Sequence, residues 1–295
     1  MQKRATTLVT PQPIRTNINL NRELETAIDL ARLAGSAAMK FYDSPLDIQL
    51  KDKHDEPVTQ ADYAANAVIV PRLISLFPDD GLLSEETADT TARLAKPRVW
   101  MIDPIDGTNG FINRNGDFAV QIGLTIEGTP ALGVVYQPID DTLYYAAKNS
   151  GAWTQHGTDK PRRLHVSDKR DLHDMHLAAS RSHRSPRMNQ VVEHLGLKSE
   201  TQRGSVGVKI GLIIERQCDL YIHLSARSKQ WDTCAPEAIL REAGGTLTDL
   251  FGTPYEYNTR DVWNSNGIVA TNGAAHNLVI ERLAPLLREF GRTPA

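Results

Sequence analysis

The stretch WMIDPIDGTNGF, residues 100 to 111, limits the fold more tightly than any other part of the chain. An apolar run ends in two aspartates three positions apart, with Pro104 between them and Gly107-Thr108 behind them. Proline fixes its own φ and biases the preceding residue towards an extended conformation, so Asp103 ends a buried strand and Asp106 lies in the turn that follows. Both carboxylates can then face one point in space. Two like charges at that separation repel, and each raises the other's pKa unless a cation sits between them. Oxygen-only ligation without cysteine or clustered histidine favours Mg²⁺ over zinc. Backbone N–H groups at Gly107 and Thr108, at a helix start, suit an anion such as phosphate. Taken alone, an Asp-Pro-x-Asp-Gly turn is more often surface punctuation than a site.

Two further fragments change that balance. LLSEET puts Glu85 and Glu86 at the end of an apolar run, and KQWDTCAPEA puts Asp232 beside Trp231 at the start of a helix. Separately, the glutamates read equally well as a solvated turn and Asp232 as a plain helix N-cap. Together with Asp103 and Asp106 they form an acidic constellation that calls for a cation.

Around these fragments the hydrophobic periodicity is that of a layered α/β protein with two sheets. Leu24, Ala27, Ile28, Ala31, Ala34, Ala38 and Phe41 recur at helical spacing, which predicts a helix over 23–42 with Asn21 as its cap. The polar stretch QLKDKHDEPVTQAD reads as a loop, after which Ala61, Ala65, Ile69, Leu73 and Leu76 predict a second helix capped by Thr59. VWMID, VQIGLTI, ALGVVYQP and LYYAAK are short, β-branched or aromatic, and split by Gly, Pro and Asp, as in a meander. Beyond residue 170 helices and strands alternate: HLAAS, DLYIHL, TLTDL and NGIVAT as strands, and MNQVVEHLG, VKIGLIIER, CAPEAILREAGG and 276–290 as helices. The polar run SDKRDLHD divides an N-terminal lobe, 23–170, which carries most of the acidic constellation, from a C-terminal lobe, 171–295.

Composition removes whole classes of function. The 295 residues carry 33 basic and 36 acidic side chains for a net charge of -3, spread along the chain, so no basic footprint invites nucleic acid. Small molecules are the expected partners. Two cysteines, Cys218 and Cys234, make neither a disulfide framework nor a CxxC metal site and fit the reducing cytoplasm. Apolar runs fall far short of the roughly 18 residues that suggest a membrane span. Residues 1–22 contain Lys3, Arg4, Arg15 and Arg22 and no acid, a weak likeness to a transit peptide. Pro11 and Pro13 interrupt any amphipathic helix there, which favours a disordered, solvated tail.

In order, PVTQAD with Asp62, LLSEET, WMIDPIDGT and WDTCAPEA resemble the magnesium-dependent, lithium-sensitive phosphatases of the inositol monophosphatase superfamily, over nearly the whole chain from about residue 23. The resemblance implies an αβαβα sandwich with mixed strands. It also implies a first metal held by Glu85, Asp103 and the Ile105 carbonyl, and a second by Asp103, Asp106 and Asp232. Glu85 would help with a third, so two or three Mg²⁺ serve one site. Asp62 and Thr108 resemble the pair that orients and deprotonates the attacking water. A phosphate monoester resists water, and metals answer that by generating hydroxide near neutral pH and by stabilising the leaving oxygen. No protein nucleophile is required, so Cys234 reads as a packed thiol.

Within the superfamily, WDTCAPEAILREAGGTLTDLFGTP resembles the 3'(2'),5'-bisphosphate nucleotidases. SRSHRSP and GSVGVKIG resemble their nucleotide-holding segments, which assigns His183, Ser205 and Lys209 to substrate beside Gly107 and Thr108, with Arg181 or Arg184 as helpers. Without the resemblance, His183 is a surface histidine and Lys209 a helix-surface lysine. YIHLSARSKQW, before Asp232, lacks the acid that inositol enzymes place there, and Arg227, Lys229 and Lys209 supply positive charge for a doubly phosphorylated ligand. The implied activity is hydrolysis of the 3'-phosphate of adenosine 3',5'-bisphosphate to AMP, within sulfur metabolism, by a monomer or homodimer. Inositol monophosphatase and fructose-1,6-bisphosphatase are the runners-up. A non-catalytic metal- or nucleotide-binding regulator is the reading from another class, and the presence of every expected ligand weighs against it.

Overall fold

The computed structural model describes residues 19–51, 56–182 and 184–294. His183 and most of the expected tail, residues 1–18, lie outside the described residues. The apolar stripe of α1 (Asn21–Met39) packs on α2 (Gln60–Leu76) through Ala27, Ala31, Ala34, Ala65 and Ile69, small side chains that let the two helices approach closely. α1 begins two residues before the expected position and stops at Met39. Asn21 is not its cap: Leu20 occupies that position, and Asn19 Oδ1 accepts the Asn21 N–H at 3.0 Å. Thr59 caps α2 as its spacing predicts.

The stretch read as a loop between these helices contains instead an antiparallel hairpin, β1 (Ile48–Lys51) and β2 (Glu56–Thr59), whose connecting residues 52–55 lie outside the described residues. Under the two helices lies a sheet of seven strands in chain order: β3 (Gly81–Ser84), β4 (Arg98–Asp106), β5 (Ala119–Ile126), β6 (Thr129–Gln137), β7 (Thr142–Ala147), β8 (Ala152–His156) and β9 (Arg162–Leu164). Only β3 runs parallel to its neighbour; β4 to β7 are the expected meander. Trp100, Ile122, Leu124, Leu132 and Val134 face α1 and α2. The alternate residues face the next layer, so both sheet faces are buried and the strands read as nearly unbroken apolar runs.

That next layer is α5 (Val206–Ile214) and α6 (Gln230–Glu242). Beyond it lies a mixed sheet of five strands, β10 (His176–Ser180), β11 (Ser199–Arg203), β12 (Leu220–His223), β13 (Thr246–Thr248) and β14 (Ile268–Thr271), in the order β11-β10-β12-β14-β13. α4 (Arg187–Leu195) and α7 (His276–Glu289) cover its far face through Met188, Val191, Val279 and Leu283. The layers alternate helix, sheet, helix, sheet, helix, as an αβαβα sandwich requires. Among the described residues no helix is long and apolar enough to cross a membrane.

Candidate active site

A cavity of about 390 Å³ opens where the C-terminal end of β4 meets the N-termini of α5 and α6. Glu85, Asp103, Ile105, Asp106, Gly107, Thr108, Ser205, Lys209 and Asp232 all line it. In a regular strand, residues three apart face opposite sides. Here the β4–β5 register slips between Asp103, opposite Gln121, and Asp106, opposite Ala119. This bulge sits at Pro104, which has no N–H to give the ladder, and it turns both carboxylates into the cavity. Asp106 therefore stays within the strand rather than entering the turn expected after Asp103.

Each acid is held by backbone. Asp103 Oδ1 accepts the Ile105 N–H at 3.0 Å. Asp106 Oδ2 accepts the Ser205 hydroxyl at 2.5 Å and the Gly207 N–H at 3.0 Å. Asp232 is the third residue of α6, not its N-cap, and its Oδ2 reaches back to the Lys229 N–H at 2.8 Å. Asp62 stands at the same position of α2: its Oδ2 accepts both the N–H and the hydroxyl of Thr59 at 2.8 Å. Its Oδ1 accepts from Thr108 Oγ1 at 3.2 Å, and that hydroxyl lies equally close to the Ile105 carbonyl oxygen. Glu85 extends β3 by one residue, its N–H donating to the Ile102 carbonyl, which lays it beside Asp103.

The electrostatics follow from burial and crowding. Asp103, 2 % exposed, has its carboxyl pushed well above the ordinary range by burial first and then by Glu85, Asp106 and Asp232. Asp232 is raised by burial and by the charges of Glu85 and Asp106. Asp106 is raised by burial although Lys209 and the Ser205 bond oppose it. Burial also raises Asp62. On the hairpin, Lys51 Nζ lies 3.0 Å from Glu85 Oε1 and also contacts Glu86. Burial and the Glu85 charge outweigh that attraction and push Glu86 up to about 7.

Among the described residues no three His, Cys, Asp or Glu side chains form a ready-made metal cage. The donor set nonetheless fits a hard divalent cation. It consists of oxygen only, its acids repel one another, and the Ile105 carbonyl and water can complete a shell that side chains leave open.

The expected substrate residues fare differently. Ser205 lines the cavity, but its hydroxyl is given to Asp106 and accepts the Val208 N–H. Lys209 is no helix-surface lysine: it is 2 % exposed, with Nζ donating to the Gly204 and Ser205 carbonyls and lying over the Tyr221 ring. Burial pulls it down to about 8. Arg181 pairs with Asp117, and Arg184 with Glu200. Lys229 pairs with Glu56 of the hairpin at 2.6 Å. Sequence reasoning missed Lys51, Glu56 and Asp117. Strand-like alternation of Ile48 and Leu50 with Gln49 and Lys51 was a signal for the hairpin; for Asp117 there was none.

The inositol monophosphatase family profile matches residues 19–288. The chain belongs to that family. The 3'(2'),5'-bisphosphate nucleotidase CysQ of Salmonella typhimurium is 38% identical over 251 residues, which cover 84% of this chain and 99% of the relative. CysQ of Escherichia coli K12, also named a 3'(2'),5'-bisphosphate nucleotidase, is 37% identical over 247 residues, 83% and 97% of the two chains. Among solved structures, CysQ from Bacteroides thetaiotaomicron superposes with a TM-score of 0.71 at 30% identity, covering 86% of this chain and 99% of that one. The Thermotoga maritima IMPase gives 0.78 at 25% identity, covering 92% and 100%. The layered fold described above is thus the fold of this family.

Proposed function

We propose that the protein is a magnesium-dependent phosphomonoesterase that removes the 3'-phosphate of adenosine 3',5'-bisphosphate, leaving AMP. The observation that carries this reading is the joint opening of Glu85, Asp103, Asp106 and Asp232 onto one cavity, with the Asp62–Thr108 pair beside them. The nucleotidase relatives at 37–38% identity support the substrate class.

In this reading Glu85, Asp103 and the Ile105 carbonyl would hold one Mg²⁺, Asp103, Asp106 and Asp232 would hold a second, and Glu85 would help with a third. When bound, the ions lower the pKa of the attacking water and offset charge on the phosphoryl and leaving oxygens. Asp62, fixed through one oxygen by Thr59, turns the other to Thr108 and orients its hydroxyl. Thr108 accepts the proton of the attacking water as its own proton passes to Asp62, whose burial makes it a stronger base than a solvated aspartate. Gly107 and Thr108 present amides to the phosphate, Lys209 adds buried positive charge, and Ser205 fixes Asp106.

Lithium inhibition, cytoplasmic residence and a place in sulfur metabolism belong to the same proposal. Colorimetric phosphate release from adenosine 3',5'-bisphosphate, with 5 mM magnesium or with excess chelator, tests it. Release that depends on magnesium and falls in millimolar lithium is expected. Equal release in the chelator overturns the metal-dependent reading, and none in either condition favours a binding protein.

A further inference from the structure

Asp117 has no part in the chemistry above, yet three glycines of the phosphate corner, Gly107, Gly110 and Gly204, pack against it. It follows α3 (Thr108–Ile112) and is 3 % exposed. Its carboxylate accepts the Gly204 N–H at 2.9 Å, and the guanidinium Nε atoms of Arg181 and Arg203 lie 3.0 and 3.7 Å away. Its carbonyl oxygen lies 2.5 Å from where a Cβ would stand on Gly107, 2.3 Å from one on Gly110 and 2.7 Å from one on Gly204. Only glycine lets these three backbones approach so closely.

The chain that leaves Gly204 is strained. Ser205 has φ +50°, a region that a non-glycine residue rarely adopts and keeps only where its surroundings enforce it. The same residue donates its hydroxyl to Asp106 Oδ2, the oxygen that also takes the Gly207 N–H. Lys209 Nζ in turn donates to the Gly204 and Ser205 carbonyls. We infer that Asp117 is a positioning residue: through the Gly204 amide it keeps Ser205 in its strained conformation, and Ser205 in turn fixes Asp106 in the reaction site. The operative contact is the hydrogen bond to Gly204. Arg181 and Arg203 are 36% and 43% exposed, so solvent screens their pairing with the carboxylate.

This inference rests on the reading of Asp106 as part of the reaction site. Its test compares Asp117→Ala and Asp117→Asn with the wild type in kcat and KM for adenosine 3',5'-bisphosphate at saturating magnesium, in Tm, and in amide exchange across 204–209. Asparagine keeps an oxygen for the Gly204 N–H and alanine does not. Alanine is expected to lower kcat about tenfold or more, to change KM less than about threefold, and to speed exchange in 204–209 about tenfold. Asparagine is expected to restore all three to within about threefold of wild type. An alanine variant within about twofold of wild-type kcat, or an asparagine variant as impaired as alanine, overturns the inference. Should Asp117→Ala not fold, Asp117→Ser, whose shorter side chain falls away from Gly204, takes its place with the same expectations. Should the wild type release no phosphate, the proposed reaction fails on its own. The exchange data then decide the role of Asp117, and unchanged protection at 204–209 in the alanine variant overturns it.

Discussion

Asp103 sits among three other carboxylates in a buried cavity. It is buried against Glu85, Asp106 and Asp232, and each of those charges resists its ionisation. Asp103→Asn is expected to keep the fold, to hold or raise Tm in metal-free buffer because the repulsion is relieved, and to reduce phosphate release to below about a hundredth of wild type. Calorimetry alongside the phosphate assay reads both effects, and turnover above a few per cent contradicts a bridging Asp103. The acids of the cavity were legible in the sequence because each lies in a short motif whose neighbours explain it: a proline, a glycine, a helix start. The residues that tie the cavity together were not. Lys51 meets Glu85 across 34 positions, Asp117 meets Gly204 across 87, and Lys229 meets Glu56 across 173. No local pattern announces such pairs. Lys209 misleads in the other direction, since helical spacing alone cannot tell a solvated lysine from one buried against the Tyr221 ring.

Helix α6 brings Asp232 to Asp103 only because the sheet beneath it is bare. Gly123 and Gly133 sit directly opposite each other on β5 and β6, on the face turned to α6. A Cβ on Gly133 would stand 2.2 Å from the Ala235 carbonyl oxygen, and one on Gly123 would stand 2.6 Å from Cys234 Sγ. Gly133→Ala therefore forces the helix backbone to move, and chemical denaturation is expected to show a loss of roughly 3 kcal/mol together with reduced turnover as Asp232 shifts. A variant as stable and active as wild type contradicts this packing. Gly123→Ala meets a side-chain sulfur and is expected to be milder. The central strands of this sheet could be read because both faces are buried and apolar side chains dominate. β11, SETQR, escaped because it is a polar strand at the sheet edge. The hairpin β1–β2 escaped for a related reason, since Ile48 and Leu50 are exposed and bury nothing that composition would flag. α2 was found with its cap because Thr59 and Asp62 form a capping box that local sequence encodes fully.

Across the whole molecule, four apolar interfaces separate five layers, and acids are carried into them at more than one place. Glu237 lies on α6 away from the cavity and is 4 % exposed, its Oε2 accepting the Tyr257 hydroxyl at 2.6 Å. Burial raises it from 4.5 to about 7, against the Tyr257 bond and Arg241. The native state thus binds this proton more tightly than the unfolded chain does. Its contribution to stability is greatest below about pH 4.5 and declines as pH climbs to about 7, by roughly 3 kcal/mol in all. Glu237→Gln keeps an acceptor for Tyr257 and removes the titration, so it is expected to raise Tm at pH 8 and leave it nearly unchanged at pH 4.5. An identical pH profile for variant and wild type contradicts a neutral buried glutamate. The two-sheet α/β class and the clustering of the acids followed from periodicity and motif, and the five-layer order from the family resemblance, whereas the choice of substrate depends on loops whose contacts span the chain. That choice is decided by kcat/KM for adenosine 3',5'-bisphosphate against inositol 1-phosphate, measured side by side with saturating magnesium. A preference for the nucleotide of about a hundredfold or more, with AMP as product, is predicted; comparable values, or a preference for the inositol ester, would contradict the proposed function.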